Sequence, residues 1–285
     1  MDPGSAGDMV LRPFADELSK ILKTPVIVVN KPGAAATLGT DLVVKSKKDG
    51  YTILYANTSA VVYAKASNPK QVPYDAITDL EPLGLHCFFP TCLAVQETSP
   101  FKTFSAFIDF AKKNPGNLRV STPGQGSIDH FNLELVQSIT GAQFTMVPFK
   151  GGASAITALL GGHVDASFIA NSLAGPHTKA GKLRMILITK KMTEYPDVPT
   201  ITELGYKENL LMPWFALFAP SGVPEEVKKV LVPAIEKGIK NPELKLKIEK
   251  MGFVVDYKTP SELKEILISD YERARALAKK LGLSQ

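Results

Sequence analysis

Leu118-Arg119-Val120-Ser121-Thr122-Pro123-Gly124-Gln125-Gly126-Ser127 passes from a short β-rich run through a glycine-rich turn into an amphipathic run. The spacing predicts a strand over 118–121 and a helix over 127–140, with Leu133, Val136 and Ile139 on one face. The same order follows at once. A strand over 144–147 leads through Pro148-Phe149-Lys150-Gly151-Gly152 into a helix over 154–160, which Gly161-Gly162 stops. Glycine ends helices because it takes the left-handed C-terminal position without strain. Short strands alternating with amphipathic helices predict an α/β fold.

Outward from this stretch the alternation holds. Val10, Phe14, Leu18, Ile21 and Leu22 recur at helical spacing, with Asp8 as the expected N-cap. Val26-Ile27-Val28-Val29 reads as a buried strand, and Asp49-Gly50 turns into another over 51–55. A helix is expected over 104–113, ended by Asn114-Pro115-Gly116, and strands over 164–168 and 183–189. Helices over 224–240 and 260–280 each open on proline, which suits the first helical turn.

Composition narrows the function. The chain has 285 residues, 45% hydrophobic and 21% charged, enough for one large or two medium domains. No apolar run approaches the roughly 18 residues of a membrane span, so the protein is not expected to be membrane-embedded. Lys plus Arg number 33 and Asp plus Glu 28, a formal net charge of +5. The basic residues come in scattered pairs such as Lys112-Lys113 and Lys190-Lys191 without interleaved aromatics, which argues against nucleic acid. A weak positive field favours anionic ligands. Cys87 and Cys92, in an extended stretch, are too far apart to bridge and read as core thiols.

Four loops carry the functional signal: Pro3-Gly4-Ser5-Ala6-Gly7-Asp8, Asn57-Thr58-Ser59, Thr122-Pro123-Gly124-Gln125-Gly126-Ser127 and Pro148-Phe149-Lys150-Gly151-Gly152. All are small, polar or glycine-rich, and most lead into a helix. Backbone N–H groups at helix N-termini carry partial positive charge and bind anions. In parallel α/β sheets ligands sit outside the carboxyl ends of strands. Catalytic patterns are missing. His86, His130, His163 and His177 form no i,i+4 pair, and no nucleophile elbow, dinucleotide fingerprint or phosphate-binding P-loop occurs. His130 reads as a hydrogen-bonded structural residue. No cofactor, no metal site and no catalytic residue are expected.

In order and spacing these motifs resemble the substrate-binding proteins of tripartite tricarboxylate transporters, the Bug family. The resemblance spans nearly the whole chain, through Asn30-Lys31-Pro32-Gly33-Ala34, Asp49-Gly50-Tyr51-Thr52, Val147-Pro148-Phe149-Lys150-Gly151, Leu159-Leu160-Gly161-Gly162-His163-Val164-Asp165 and Leu217-Phe218-Ala219-Pro220. It implies a type II periplasmic-binding-protein fold, a Venus flytrap of two α/β lobes. Residues 1–95 plus 218–285 would form one lobe and 96–217 the other. Strands at 90–96 and 213–220 would cross between them, with the ligand in the cleft. By resemblance the ligand residues are Gly4, Ser5, Ala6, Asp8, Thr58, Ser59, Thr122, Gly124, Gly126, Ser127, Lys150 and Gly151, with Ile169 and Ala170 after the strand 164–168.

The implied protein is a periplasmic monomer that captures a small organic carboxylate and delivers it to membrane transporter subunits. Closure of the lobes would accompany binding. A binding protein for a sensor kinase, and an α/β transferase, are the competing readings. Three departures bear on this. The family opens with an apolar strand before the Pro-Gly of the first loop, whereas this sequence starts at Met1-Asp2-Pro3-Gly4 with that strand and an export signal missing, so impaired stability or weakened binding is expected of this form. Phe149 stands where the family has tyrosine. Ile169-Ala170 stand where a polar or acidic residue is common, which suggests a ligand without an amino group: a dicarboxylate, an aromatic carboxylate or a branched acid.

Overall fold

A computed structural model describes residues 2–280 together with 282 and 283. In chain order the elements begin α1 (Ala6–Leu22), α2 (Thr37–Val44), β1 (Leu54–Asn57), a π-helical turn (Ser59–Tyr63), α3 (Ala64–Ser67), α4 (Ala76–Asp79) and β2 (Leu80–Phe88). Then come β3 (Thr91–Gln96), α5 (Phe104–Lys113), β4 (Arg119–Thr122), α6 (Ile128–Thr140), β5 (Thr145–Pro148), α7 (Gly152–Leu160), β6 (Ala166–Ala170), α8 (Asn171–Lys179) and β7 (Leu183–Ile188). The chain closes with β8 (Trp214–Pro220), α9 (Glu225–Ile239), α10 (Pro242–Glu249), β9 (Val254–Lys258) and α11 (Pro260–Lys280).

These elements form two compact units. One contains Met1–Phe88 and Pro213–Gln285, the other Phe89–Met212. The chain passes between units just before β3 and just before β8. The boundaries read from sequence, 95/96 and 217/218, therefore move N-terminally. The cause is strand pairing: β3 bonds only to β6 and β7, and β8 only to β1 and β2. Among the described residues neither strand is shared between the two sheets, and the chain passes between the units at their N-terminal ends.

Unit one has the sheet order β1-β8-β2-β9, antiparallel throughout. Its core gathers Val10, Phe14 and Leu18 of α1 with Leu83, Leu85, Phe215 and Phe218, all nearly inaccessible to solvent. α11 is tied to the sheet where the Trp214 indole N–H donates to Asp270 Oδ2 at 2.8 Å. Residues 26–29 are the clearest correction. They form no strand, and Ile27 and Val29 are 81% and 68% exposed. Their β-branched composition suits a strand, but a strand exists only where a neighbour takes its hydrogen bonds. The next strand also lies later than expected, at Leu54–Asn57 rather than 51–55, leaving Tyr51 on the surface.

Unit two has the order β5-β4-β6-β3-β7. β5, β4 and β6 run parallel and β3 and β7 antiparallel. Phe107, Phe131, Phe168 and Leu93 are fully buried around this sheet. The Asn132 amide pins the chain ahead of β8: Leu211 N–H donates to its Oδ1 at 2.8 Å and its Nδ2 donates to the Leu211 carbonyl at 3.0 Å. α5 falls where the sequence places it, and α6 and α7 within two residues of it. Cys87 and Cys92 are free and buried, as core thiols. Burial drives both thiols well above their ordinary pKa.

One buried carboxyl carries a testable consequence. Asp129, in the first turn of α6, is 5% exposed, and burial pushes its carboxyl up to about 8. The folded state thus holds a proton that the unfolded chain releases near pH 4. The sign follows: stability is highest at low pH and falls as pH rises from the unfolded value through about 8. Asp129→Asn should raise Tm at pH 8 by roughly 2–4 °C for each kcal/mol recovered, with the gain shrinking toward pH 5, as differential scanning calorimetry across that range would show.

Candidate ligand-binding site

In unit two, three adjacent parallel strands end on one edge of the sheet and each turns straight into a helix. β4 ends at Thr122 and leads to α6, β5 ends at Pro148 and leads to α7, and β6 ends at Ala170 and leads directly to α8. Thr122 is level with Pro148, so β4 and β5 end together, while Ser121 is level with Ser167, so β6 runs about two residues further before α8 begins. Three helix N-termini therefore share one edge, where their free N–H groups favour an anion.

Local bonds fix the first of these turns. Ser127 caps α6, its Oγ accepting from His130 N–H at 3.2 Å. The Gly126 N–H donates to His130 Nδ1 at 3.1 Å. An imidazole that accepts at Nδ1 carries its proton on Nε2, which faces Glu134 Oε1 at 3.7 Å. Burial pushes His130 down to about 4, so the ring stays neutral and shapes the loop. That matches the structural role read from sequence. Gly126 has φ +73°, a left-handed conformation that glycine takes readily. Gly124 has φ +149°, and a Cβ there would lie 3.2 Å from the Phe149 carbonyl oxygen. The Phe149 N–H in turn donates to the Thr122 carbonyl at 3.0 Å. The β4 and β5 loops are thus stitched together.

Thr122, Gly124, Gly126 and Ser127 meet on this edge with Gly151, the N-cap of α7, and exposed Lys150. Ile169 does not join them. Its side chain is fully buried in a core with Cys92, Leu183 and Ile188. β6 continues to Ala170, two residues beyond the strand expected, so the polar position after it is Asn171. Asn171 and Ser172 open α8 at 1% and 5% exposure, and Asn171 Oδ1 and Ser172 Oγ have no hydrogen-bond partner. Sequence reading missed both. An Asn-Ser pair directly after a buried apolar run was the available signal.

Unit one presents a smaller set. Ser5, not Asp8, is the N-cap of α1; its Oγ accepts from Asp8 N–H at 3.4 Å. Asp8 is instead the hub of a network. Gly4 N–H and Arg12 Nε each donate to Oδ2 at 2.9 Å, and Asn30 Nδ2 donates to Oδ1 at 2.9 Å. With both oxygens engaged by its own chain, Asp8 positions the loop of Gly4, Ser5 and Ala6. Burial alone would raise its pKa, but the bonds from Arg12, Gly4 and Asn30 hold it below the ordinary carboxylate value. At the end of β1, Thr58 and Ser59 open a helical stretch. Both are buried, and Thr58 Oγ1 has no partner.

The sequence profile described as the tripartite tricarboxylate transporter family receptor matches residues 10–283. The chain belongs to this family. It is 31% identical over 282 residues to Protein BugT of Bordetella pertussis, covering 98% of this chain and 86% of BugT. R. palustris Rpa4515, solved with adipate, superimposes with TM-score 0.91 at 25% identity, over 96% of this chain and 92% of that one. MatC of Rhodopseudomonas palustris, solved with bound malate, does so with TM-score 0.89 at 26% identity, over 96% and 95%. A family of solute receptors accounts for strand ends dressed with backbone donors. The periplasmic-binding-protein fold expected from sequence is the one found.

The Asp8 network has a pH signature. A carboxyl with a depressed pKa stabilises the fold above its unfolded value, and this is lost as pH falls through the folded one. Asp8→Asn should cost about 2 kcal/mol at pH 7, and its Tm should converge with that of the parent chain below the ordinary carboxylate range; a constant gap at all pH values would show that the charge is not involved.

Proposed function

We propose that this protein is an extracytoplasmic solute-binding protein, working in the periplasm, that captures a small organic carboxylate and delivers it to a tripartite tricarboxylate-type membrane transporter. The observation that carries this is the shared edge of three helix N-termini in unit two. A carboxylate there accepts from backbone N–H groups and from Ser127, held by fixed dipoles. Such donors bind an anion without transferring a proton to it, so the proposal is capture and release, with no bond made or broken. His130 is committed to the Gly126 N–H, which leaves it a loop anchor. The adipate and malate held by the two structural relatives support this ligand class. Among the described residues no helix is long and apolar enough to cross a membrane, which suits a partner that meets the bilayer through other subunits.

Asn171 and Ser172 bring a polar element to the same edge. Their unpartnered oxygens suit a hydroxyl on the ligand, so the acid need not be purely apolar beyond its carboxylates. A thermal-unfolding screen with malate, succinate, adipate, citrate and benzoate tests the reading. A ligand at about 100 times its Kd adds roughly 2.7 kcal/mol, which should lift Tm by several degrees. Asn171→Ala should erase any preference for malate over succinate, and Gly124→Ala should weaken all acids at least tenfold. No shift with any acid would overturn the proposal.

A further inference from the structure

Unit two gathers four buried side-chain oxygens that have no hydrogen-bond partner among the described residues. Asn171 Oδ1 and Ser172 Oγ, at the start of α8, are two of them, and Thr91 Oγ1 and Asp129 Oδ1 are the others. All four residues are at most 5% exposed. The topology brings them to the edge where the helices begin. Thr91 opens β3 and is level with Ala170, the last residue of β6. The Asn171 N–H donates to the Pro90 carbonyl at 2.8 Å and the Thr91 N–H to Thr189 Oγ1 at 2.9 Å, which fixes that corner. Asp129 stands in the first turn of α6. It is close enough to Thr91 for the hydroxyl to favour its charged form, and to Cys92 for that charge to push the thiol up. Buried polar atoms are seldom left unpaired, and four around one corner point to a bound group.

The chemistry of the corner is one-sided. Among the described residues no lysine or arginine offsets a charge on Asp129, and burial keeps its carboxyl protonated up to about 8. The neighbouring titratable groups do not alter this. On α6, His130 is neutral and Glu134 Oε2 accepts from Gln137 Nε2 at 2.7 Å. Burial holds Cys92 on β3, and Tyr195 facing it, in their protonated forms. β6 and the first turn of α8 carry no titratable side chain. A protonated carboxyl is an O–H donor, whereas an ionised one repels an anion brought beside it. We propose that Asp129 is a specificity-determining residue that meets the ligand as the neutral acid: its O–H and the hydroxyls of Thr91 and Ser172 donate to one carboxylate of the ligand, while Asn171 Oδ1 accepts from a ligand hydroxyl. Asn171 presents its oxygen because its Nδ2 donates to Met192 Sδ at 3.2 Å. Capture of the acid and ionisation of Asp129 therefore exclude one another. A seated anion keeps the proton on Asp129, and the ionised protein disfavours the anion. The corner also discriminates against amino acids, since a neutral Asp129 offers an ammonium group no counter-charge. The inference rests on the carboxylate reading and adds to it a residue that none of the loop motifs contains.

Isothermal titration calorimetry of the full chain with malate, succinate and adipate, from pH 6 to pH 9.5, provides the test. Kd should stay nearly constant up to about pH 8 and rise about tenfold per pH unit above it. At pH 9 about one proton should be taken up per ligand bound, read from the difference between two buffers of unlike ionisation heat. Asp129→Asn keeps a donor at this position but has no proton to lose. It should bind within about threefold of the parent at pH 6, with a flat pH profile and no proton uptake. Thr91→Val should weaken the same acids about tenfold and leave the pH dependence in place. A parent profile that is flat to pH 9.5, or an Asp129→Asn variant with the parent's slope, would overturn the inference and leave carboxylate capture standing. Tight binding of aspartate with release of a proton would also overturn it, assigning Asp129 to an ammonium group. No binding of any of the three acids at pH 6 would overturn both this inference and the reading beneath it.

Discussion

Parallel strands that end on the same side of a sheet make their following helices begin there, and the unpaired N–H groups of those helices must be satisfied on that edge. This constraint shapes unit two. β4 and β5 end together, and β6 ends about two residues beyond them on the same side. Ser127, Gly151 and Asn171 then begin three helices within one neighbourhood. Each helix brings several orphan donors, and side-chain caps satisfy only some of them. The remaining donors suit the anion site proposed above, which would need no long cationic side chains to be fixed.

The polar groups around that edge hold it still. His130 is neutral and holds the backbone turn at Gly126, while Gly124 allows the β4 and β5 loops to approach closely. Asp8 does the equivalent work in unit one, where its carboxylate joins the loop, the helix and the segment that follows it. Both charged-looking candidates are therefore positioning groups. In the proposed site, backbone and hydroxyl groups rather than charged side chains would meet the ligand.

Unit one shows the opposite situation. Its sheet has an unguarded edge at β1, and an apolar segment nearby has no sheet to join. The composition that makes 26–29 read as a strand leaves Ile27 and Val29 exposed here, with the Val26 N–H donating to Ser19 Oγ of α1 at 2.8 Å instead of to a strand. Helix α1 packs in spite of this because Val10, Phe14 and Leu18 reach the core formed by the antiparallel strands and α9.

Local residue patterns were enough for the α/β class and the loops at Gly4, Thr58, Gly124 and Gly151, because glycine, proline and capping residues act locally, whereas the division into two lobes came from the family resemblance. Helical periodicity located α5, α6, α7, α9 and α11 to within two residues. Tertiary structure alone decided three things. It left 26–29 outside any sheet, since a strand needs a partner. It sent Ile169 into the core and set Asn171 where β6 ends and α8 begins, since the face a side chain takes depends on where pairing ends. And it placed the boundaries between units at 88/89 and 212/213, since a strand belongs to the sheet that takes its hydrogen bonds, which no local residue pattern records.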